Sequence, residues 1–417
     1  MHETLLDLLR CPFCGTAFDV VQNDALVSTE TGIESGVLGC ECCAFPIIAG
    51  IPVLLANDDT RRAMHLLEAG QTQAALLAVL GLDPARTAAF NTLATSPYPS
   101  CRELLPVLSP DAEGTYFLYR FSDPTFVPAE ALIRALGVRT ASRGGPRLDL
   151  CGGMGHLTRA LRAGLEPVAT GWDHTVVADL HFWKLWLATR YTSPGCAAVC
   201  CNADAPLPFG PNQFSMVVLM DAFPYIWHKR LCADEMIRVA RPDAMLALPH
   251  LHSSRGDNFS AGDPLSPDAY RDLFDAHSPR FYSDRQLLDT LLEEAAIDLT
   301  QDRSAQQIGD EASLTIVASG VAPPEARLDI ATPTDVTGTL IVNPLYAVEY
   351  AAGVSTLRLQ FPDTEYEAEF GECRRYLPDP LRVNVDLTTS IQPMAIGPRY
   401  EELRRRRVLL DVPLGYL

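Results

Sequence analysis

RLDLCGGMGHLTRAL, from Arg147 to Leu161, decides how this chain is read. Arg147 to Cys151 predicts a strand, and His156 to Leu165 predicts a helix. Gly152, Gly153 and Gly155 lie between them; they lack a Cβ, so the backbone can turn sharply and approach a ligand closely. A strand, glycine turn and helix in this order present free amide donors and a positive helix end to whatever lies above the turn. Such a turn serves a dinucleotide, a phosphate or simple packing equally well, so the flanking segments must decide.

Strand-like and helix-like runs alternate downstream as far as residue 320. Strands are predicted at Pro167–Trp172, Ala197–Cys201, Met216–Met220, Met245–Leu251 and Leu314–Ala318. Helices are predicted at Val176–Tyr191, Lys229–Ala240 and Tyr282–Ala295. This order predicts an α/β fold: a doubly wound, mostly parallel seven-stranded sheet covered on both faces. Residues 146–320 therefore form the central unit. Upstream, residues 57–145 read as a helical linker or lid, with one long amphipathic helix from Arg61 to Leu82 and an aromatic-rich stretch from Thr115 to Phe126. Residues 321–417 read as a small β-rich extension, with strands predicted at Thr339–Asn343, Val354–Phe361, Glu365–Phe370 and Arg382–Leu387.

Acids punctuate the sheet where ligands of open α/β folds bind, at the carboxyl ends of the strands. Asp173 is expected to close the second strand, where a carboxylate accepts hydrogen bonds from both hydroxyls of a ribose. Asn202-Ala203-Asp204-Ala205-Pro206 follows the third strand. Asp221 ends the fourth and opens the loop Ala222 to Trp227.

The series as a whole resembles the class I S-adenosylmethionine-dependent methyltransferases, well over residues 146–250 and loosely over 251–320. The resemblance implies a Rossmann-like fold and S-adenosylmethionine as cofactor. Asp149, Cys151, Gly152, Gly153 and Gly155 would then lie along the methionine part, with Cys151-Gly152-Gly153 standing where the family often has Gly-x-Gly. Asp173 would hold the ribose, with Trp172 or His174 against the adenine. Asp204 would accept from the adenine amino group, Ala203 would donate from its backbone, and Asp221 would border the sulfonium.

Residues 1–56 form a unit of their own. Cys11-Pro12-Phe13-Cys14-Gly15 has the form of a metal knuckle, and Cys40, Cys42 and Cys43 offer a second. Two thiolate pairs from tight turns suit tetrahedral zinc in a structural role. The two-residue spacer favours Cys11, Cys14, Cys40 and Cys43 as ligands, with Cys42 the alternate. LLDLLRCPFCG and LGCECCAFPIIAGIPVLL resemble the short zinc-ribbon proteins that activate RNA and release-factor methyltransferases, and the copies fused to bacterial methyltransferases.

Direct displacement at a sulfonium needs alignment and exclusion of water, with a base only where the acceptor must lose a proton. His228, on the loop beside the expected methyl group, and His250 and His252, at strand spacing, are the candidates. Tyr116, Tyr119 and Arg120 stand where the family places a lid.

Composition bounds the acceptor. The chain has 417 residues, 33 basic and 52 acidic side chains and a net charge of −19, and Lys184 and Lys229 are its only lysines. Such a surface repels phosphate backbones, so nucleic acid is disfavoured and a small molecule (a secondary metabolite, or a glycan or lipid precursor) is the expected acceptor. The ribbon's relatives make an RNA or protein methyltransferase the alternative, and a non-catalytic cofactor-binding scaffold the second alternative. No apolar run reaches the roughly 18 residues that would span a bilayer. The cysteines suit a reducing compartment, so a cytoplasmic protein is expected, with the ribbon and the C-terminal extension as the places where a protein partner or a second copy would be held.

Overall fold

A computed structural model describes residues 1–165, 172–259, 262–330, 339–389 and 398–417. Five short strands open the chain: β1 (Asp19–Val20), β2 (Val27–Thr29), β3 (Gly32–Gly39), β4 (Ala44–Ile48) and β5 (Ile51–Pro52). They form one antiparallel sheet around β3 and β4.

The central sheet contains β6 (Arg147–Leu150), β7 (Thr175–Asp179), β8 (Ala197–Cys200), β9 (Phe214–Val218), β10 (Ala240–His252), β11 (Arg280–Ser283) and, beyond a short β12 (Ala296–Asp298), β13 (Ser313–Ser319). Its order is β11-β13-β10-β9-β6-β7-β8. The strands from β10 to β8 are parallel neighbours, and β13 runs antiparallel to both β10 and β11. The chain leaves β6 toward β7 and β8 on one side and resumes at β9 on the other, so the order reverses between β6 and β9. Ligands bind open α/β sheets at such a switch point.

Strand residues alternate between two cores, as period-two geometry requires. Val177, Ala198, Met216, Val218, Ala247 and Val317 face one core, which the helix Phe126–Arg139 and the helices between Asp58 and Leu108 complete. Leu148, Val176, Val199, Val217, Leu246 and Ile316 face the other. There the helix Lys229–Val239 packs together with Leu5, Leu9, Phe45 and Leu54 of the N-terminal segment. That segment also covers the sheet's edge: Val53 bridges Cys200 in parallel, and the Leu54 amide donates to the Cys200 carbonyl at 2.8 Å. Covering β8 removes a row of unpaired backbone groups that would otherwise invite pairing with another chain.

Several expectations need correction. The helix expected from Val176 is instead β7, because Thr175, Val176 and Val177 form a β-branched run buried on both faces. The helix there covers only Phe182–Leu187 and is continued by a π-turn to Thr192. Most of the strand expected at Pro167–Trp172 lies outside the described residues; Trp172 itself is not in a strand. The helix after the glycine turn is short, Thr158–Leu161, so a helix dipole contributes little there. The long helix from Arg61 is two, Asp58–Glu68 and Thr72–Leu80, broken at Gly70 (φ 73°).

The C-terminal region contains β14 (Arg327–Asp329), β15 (Thr339–Val342), β16 (Tyr346–Ala351), β17 (Val354–Leu359), β18 (Leu381–Val383) and β19 (Leu409–Val412). β14 pairs β12, β15 pairs β19, and β16 to β18 form a three-stranded sheet. Glu365–Phe370, expected as a strand, is helical from Thr364. The Asp363 side chain caps it by accepting from the Tyr366 amide at 2.7 Å, and Tyr366 and Phe370 bury at i, i+4. No helix among the described residues is long and apolar enough to cross a membrane.

Candidate functional site at the strand tips

Register aligns the site. Asp149 is paired level with Val177 on one side and Val218 on the other, and Val218 is level with Ala247. Moving three residues onward from that row reaches Gly152 beyond β6, Asp221 beyond β9 and His250 in β10. The site is therefore a line of strand tips on both sides of the switch point. Cys151, Asp221 and His250 all hold left-handed backbone, with φ of 57°, 57° and 54°. Non-glycine residues rarely adopt this conformation, and where they do the strain often marks a functional position.

The glycine turn wraps a buried carboxylate. Asp149 Oδ2 accepts from Thr158 Oγ1 at 2.6 Å, while Oδ1 is buried with no partner among the described residues. A Cβ on Gly152 would come 2.6 Å from this carboxyl group and 2.9 Å from Val177, so only glycine lets the turn close over Asp149. Burial pushes the Asp149 carboxyl up to about 7; the charge of Asp179 adds to the effect, and the Thr158 bond and Arg120 oppose it.

Asp179, at the tip of β7, is the acid that sequence reading missed. Its Oδ2 accepts from the Gly153 amide at 3.0 Å and its Oδ1 from the His181 amide at 2.9 Å. The two bonds fix the carboxylate against the glycine turn and leave a lone pair free on each oxygen. Leu180, just beyond, is 45% exposed. The signal was present in Thr175-Val176-Val177-Ala178-Asp179, a buried strand ending in an acid.

Asp173 was expected to close this strand, and the structure corrects that placement. It precedes β7, so it lies toward the opposite edge of the sheet, where Thr175 pairs with Arg147 at the start of β6. Its carboxylate is bound by Arg162 and by the Thr175 amide. Trp172 and His174 move with it: their rings are 4.8 Å apart, the Trp172 indole donates to the Thr175 carbonyl, and His2 packs alongside. None of the three reaches the glycine turn.

Ala203 and Asp204 follow β8 at the ligand edge. Ala203 is buried, and Asp204 accepts from the His228 amide at 2.7 Å. His228 is thus tied to Asp204; its side chain is 60% exposed. It does not join the other two histidines.

Those two gather on Asp221. His252 Nε2 lies 3.0 Å from Asp221 Oδ1. The other carboxylate oxygen accepts from the Tyr116 hydroxyl at 3.0 Å and faces the Arg120 guanidinium at 3.7 Å. Burial would raise the Asp221 carboxyl, but the His252 bond and the charges of His250 and Arg120 outweigh it and hold it at about 2. His250 Nδ1 lies 2.9 Å from Asp284, which also accepts from Thr315 Oγ1 at 2.6 Å. Asp221, His250, His252, Asp284 and Thr315 border a cavity of about 690 Å³, to which the C-terminal region adds Glu369 and Phe370. Pockets of that size hold small molecules.

The segment that carries Tyr116, Tyr119 and Arg120 packs against the glycine turn. Phe117 lies over Gly153, within 3.0 Å of where a Cβ would stand, and packs on His156. The Tyr416 hydroxyl donates to the Phe117 carbonyl at 2.9 Å and lies 2.7 Å from His156 Nε2. The C-terminal residues, from which no role could be read in sequence, therefore brace Phe117 and His156 beside the turn.

In the N-terminal sheet, all five cysteines of the two knuckles converge. Cys11, Cys14, Cys40 and Cys42 form the set whose sulfurs all lie within 4.8 Å of one another. Cys11–Cys42, Cys14–Cys40 and Cys40–Cys42 are 3.7, 3.8 and 3.8 Å apart. Zinc–sulfur bonds of about 2.3 Å in a tetrahedron give edges near these values. Cys42 and Cys43 are only 3.2 Å apart, too close for both to be tetrahedral ligands. Cys43 also lies 3.6 Å from Cys11 and from Cys40, but the set of four within mutual reach contains the alternate, Cys42.

No family model matches the chain. The ubiquinone/menaquinone biosynthesis C-methyltransferase UbiE of Burkholderia mallei is 28% identical over 170 residues, covering 37% of this chain and 68% of the relative. A complex of the Haloferax volcanii Trm112 methyltransferase activator with a methyltransferase includes a chain that superposes with a TM-score of 0.32 at 18% identity, over 44% of this chain and 87% of that one. A SAM-dependent methyltransferase from Aquifex aeolicus gives 0.32 at 13% identity, over 49% and 97%. The fold assignment rests on the strand order, not on these superpositions; in sequence, the chain is similar over part of its length to a methyltransferase.

Proposed function

We propose that this chain is an S-adenosylmethionine-dependent methyltransferase acting on a small molecule. The observation that carries this reading is the row of acids at consecutive strand tips: Asp204 after β8, Asp179 after β7, Asp149 under the turn of β6 and Asp221 after β9. Neighbouring strands are about 4.8 Å apart, so the row suits an extended ligand with an adenine at one end and an ammonium near the other. Leu180 and Asp204 would face the adenine, Asp179 the ribose hydroxyls, and the unpartnered Asp149 Oδ1 the ammonium. The sulfonium would point toward Asp221, with the acceptor in the cavity beyond. The similarity to UbiE supports the same enzyme class.

The cofactor supplies an activated methyl group. That group would pass to a nucleophilic atom of an acceptor held in the cavity, whose proton would leave to water. The chain's own contribution is alignment: Tyr116 and Arg120 hold Asp221, and the Tyr116–Phe117 lid excludes water from the turn. An acceptor with a ring hydroxyl suits the cavity and is compatible with C-methylation, the activity UbiE is named for, because ionising it makes oxygen and ring carbon alike nucleophilic. The arginines near the C-terminus do not form a free basic patch: Arg405 and Arg406 pair with Glu402, and Arg407 with Glu130. This favours a small acceptor over RNA. Calorimetric titration with S-adenosylmethionine, followed by transfer of a labelled methyl group to a panel of phenols and quinols, tests the reading. Saturable one-to-one binding and a labelled product are expected; absence of binding overturns it.

The cysteine cluster would hold a structural zinc through Cys11, Cys14, Cys40 and Cys42. Cys42→Ser is expected to lower the zinc content of purified protein well below one per chain, whereas Cys43→Ser is expected to retain it. Metal analysis of the two variants decides between them, and the reverse pattern would return the fourth position to Cys43.

A further inference from the structure

Asp221, His250 and His252 do more than flank the expected methyl group. One ligand atom from each lies within 4.8 Å of the other two, and the residues line the open cavity rather than a closed core. Two imidazoles and one carboxylate on one side of an open space form the donor set that binds divalent transition metals and leaves positions free for a substrate.

Two further observations point to an ion. The first is orientation: with His250 Nδ1 engaged by Asp284, and Asp284 held by Thr315, His250 Nε2 is the nitrogen left for a ligand. A carboxylate behind a histidine in this way fixes the ring and raises its basicity at metal sites. The second is the approach of the donors: His252 is buried and turns a ring nitrogen toward the carboxylate of Asp221. Its Nε2 lies 3.0 Å from Asp221 Oδ1, close to the separation of two ligand atoms that share an ion with bonds of about 2.1 Å.

We propose that Asp221, His250 and His252 bind a divalent transition-metal ion at the inner end of the cavity, and that this ion takes an oxygen of the acceptor. The ion-binding half stands on these residues alone. The acceptor half rests on the methyltransferase reading, which it narrows to a substrate with a metal-binding hydroxyl, such as a phenol or an enol. The ion acts as a Lewis acid, lowering the pKa of that hydroxyl so that its proton leaves to water before transfer. Neither histidine then has to serve as the base.

The test is a Mn(II) titration of the full chain carrying one zinc per chain, which the thiolates hold, followed by electron paramagnetic resonance. Manganese prefers oxygen and imidazole donors to thiolates, so the cysteine cluster does not compete for it. One saturable Mn(II) site per chain is expected. It should be lost in the His250→Ala/His252→Ala double variant and weakened about 10-fold or more in Asp284→Asn, which removes only the orienting carboxylate. Retained affinity for S-adenosylhomocysteine shows that each variant is folded; if the double variant is not, Asp284→Asn decides. A wild-type chain with no saturable site, or variants that bind manganese as the wild type does, would overturn the inference. Cofactor affinity without a manganese site sinks the ion alone, and a manganese site without cofactor affinity sinks the methyltransferase reading alone.

Discussion

Asp179→Ala is expected to weaken S-adenosylmethionine binding by at least about 100-fold, while Asp173→Asn leaves it within about twofold. Hydrogen bonds to a charged acceptor contribute about 1.5–3 kcal/mol each, and a ribose offers Asp179 two of them. The lower end of that range, taken twice, is already about 3 kcal/mol, or two powers of ten. The loss grows further because Asp179 also positions the turn: without it the Gly153 amide loses its acceptor. Asp173 lies on the far side of β7. The run from Thr175 to Asp179 rises about 13 Å, and the Asp173 bonds to Arg162 and Thr175 hold the entry to the strand, not the ligand edge. Titration calorimetry on the two variants reads the difference directly. Equal losses would mean that the ribose acid has not been identified.

The same pair shows how far the sequence could be read. The glycine turn, Asp149, Asp204 and Asp221 were all legible, because an apolar strand followed by glycine or an acid is a local signal. Asp179 was missed through an error of register. Pro167 to Trp172 reads as a strand in sequence, so the β-branched run that follows reads as the start of a helix and the acid before it as the strand's end. Local propensity does not show that Thr175 to Asp179 enters the sheet; its pairing with β6 and β8 does. The contacts of Phe117 were hidden for a different reason. Tyr416 reaches Phe117 and His156 across nearly the whole sequence, and no periodicity encodes a contact of that range. His250 and His252 were legible as a pair. Their link through Asp284 and Asp221 depends on the positions of β10 and β9 relative to the helix Asp284–Glu294.

Cofactor affinity should rise about tenfold per pH unit up to pH 7 and then level off, and Asp149→Asn should abolish that slope. Burial raises the Asp149 carboxyl from its ordinary value to about 7, so the free protein holds it protonated at pH 6. The groups that bear on it are Asp179, which favours the proton, and Arg120 and the Thr158 hydroxyl, which oppose it. Because the folded value lies above the unfolded one, the neutral carboxyl's contribution to stability is complete below about pH 4. It is lost as pH rises through 7, by about 1.4 kcal/mol for each pH unit between the two values. An ammonium group reaching Oδ1 reverses this preference, because it pairs with the ionised form and displaces the proton. Binding at pH 6 should therefore release close to one proton, seen as a dependence of the calorimetric heat on the buffer's ionisation enthalpy, and binding at pH 8 should release none. The thermal shift on adding cofactor should likewise be larger at pH 8, where the free protein carries an unpaired buried charge. Asp149→Asn removes that charge and keeps the shape, so the ligand-free variant should melt higher than wild type at pH 8 while binding the cofactor at least about 100-fold more weakly. A purely structural carboxyl group would reproduce the higher melting point. It would not also make the proton release vanish, and a variant that keeps the wild-type pH slope would place the cofactor's ammonium elsewhere.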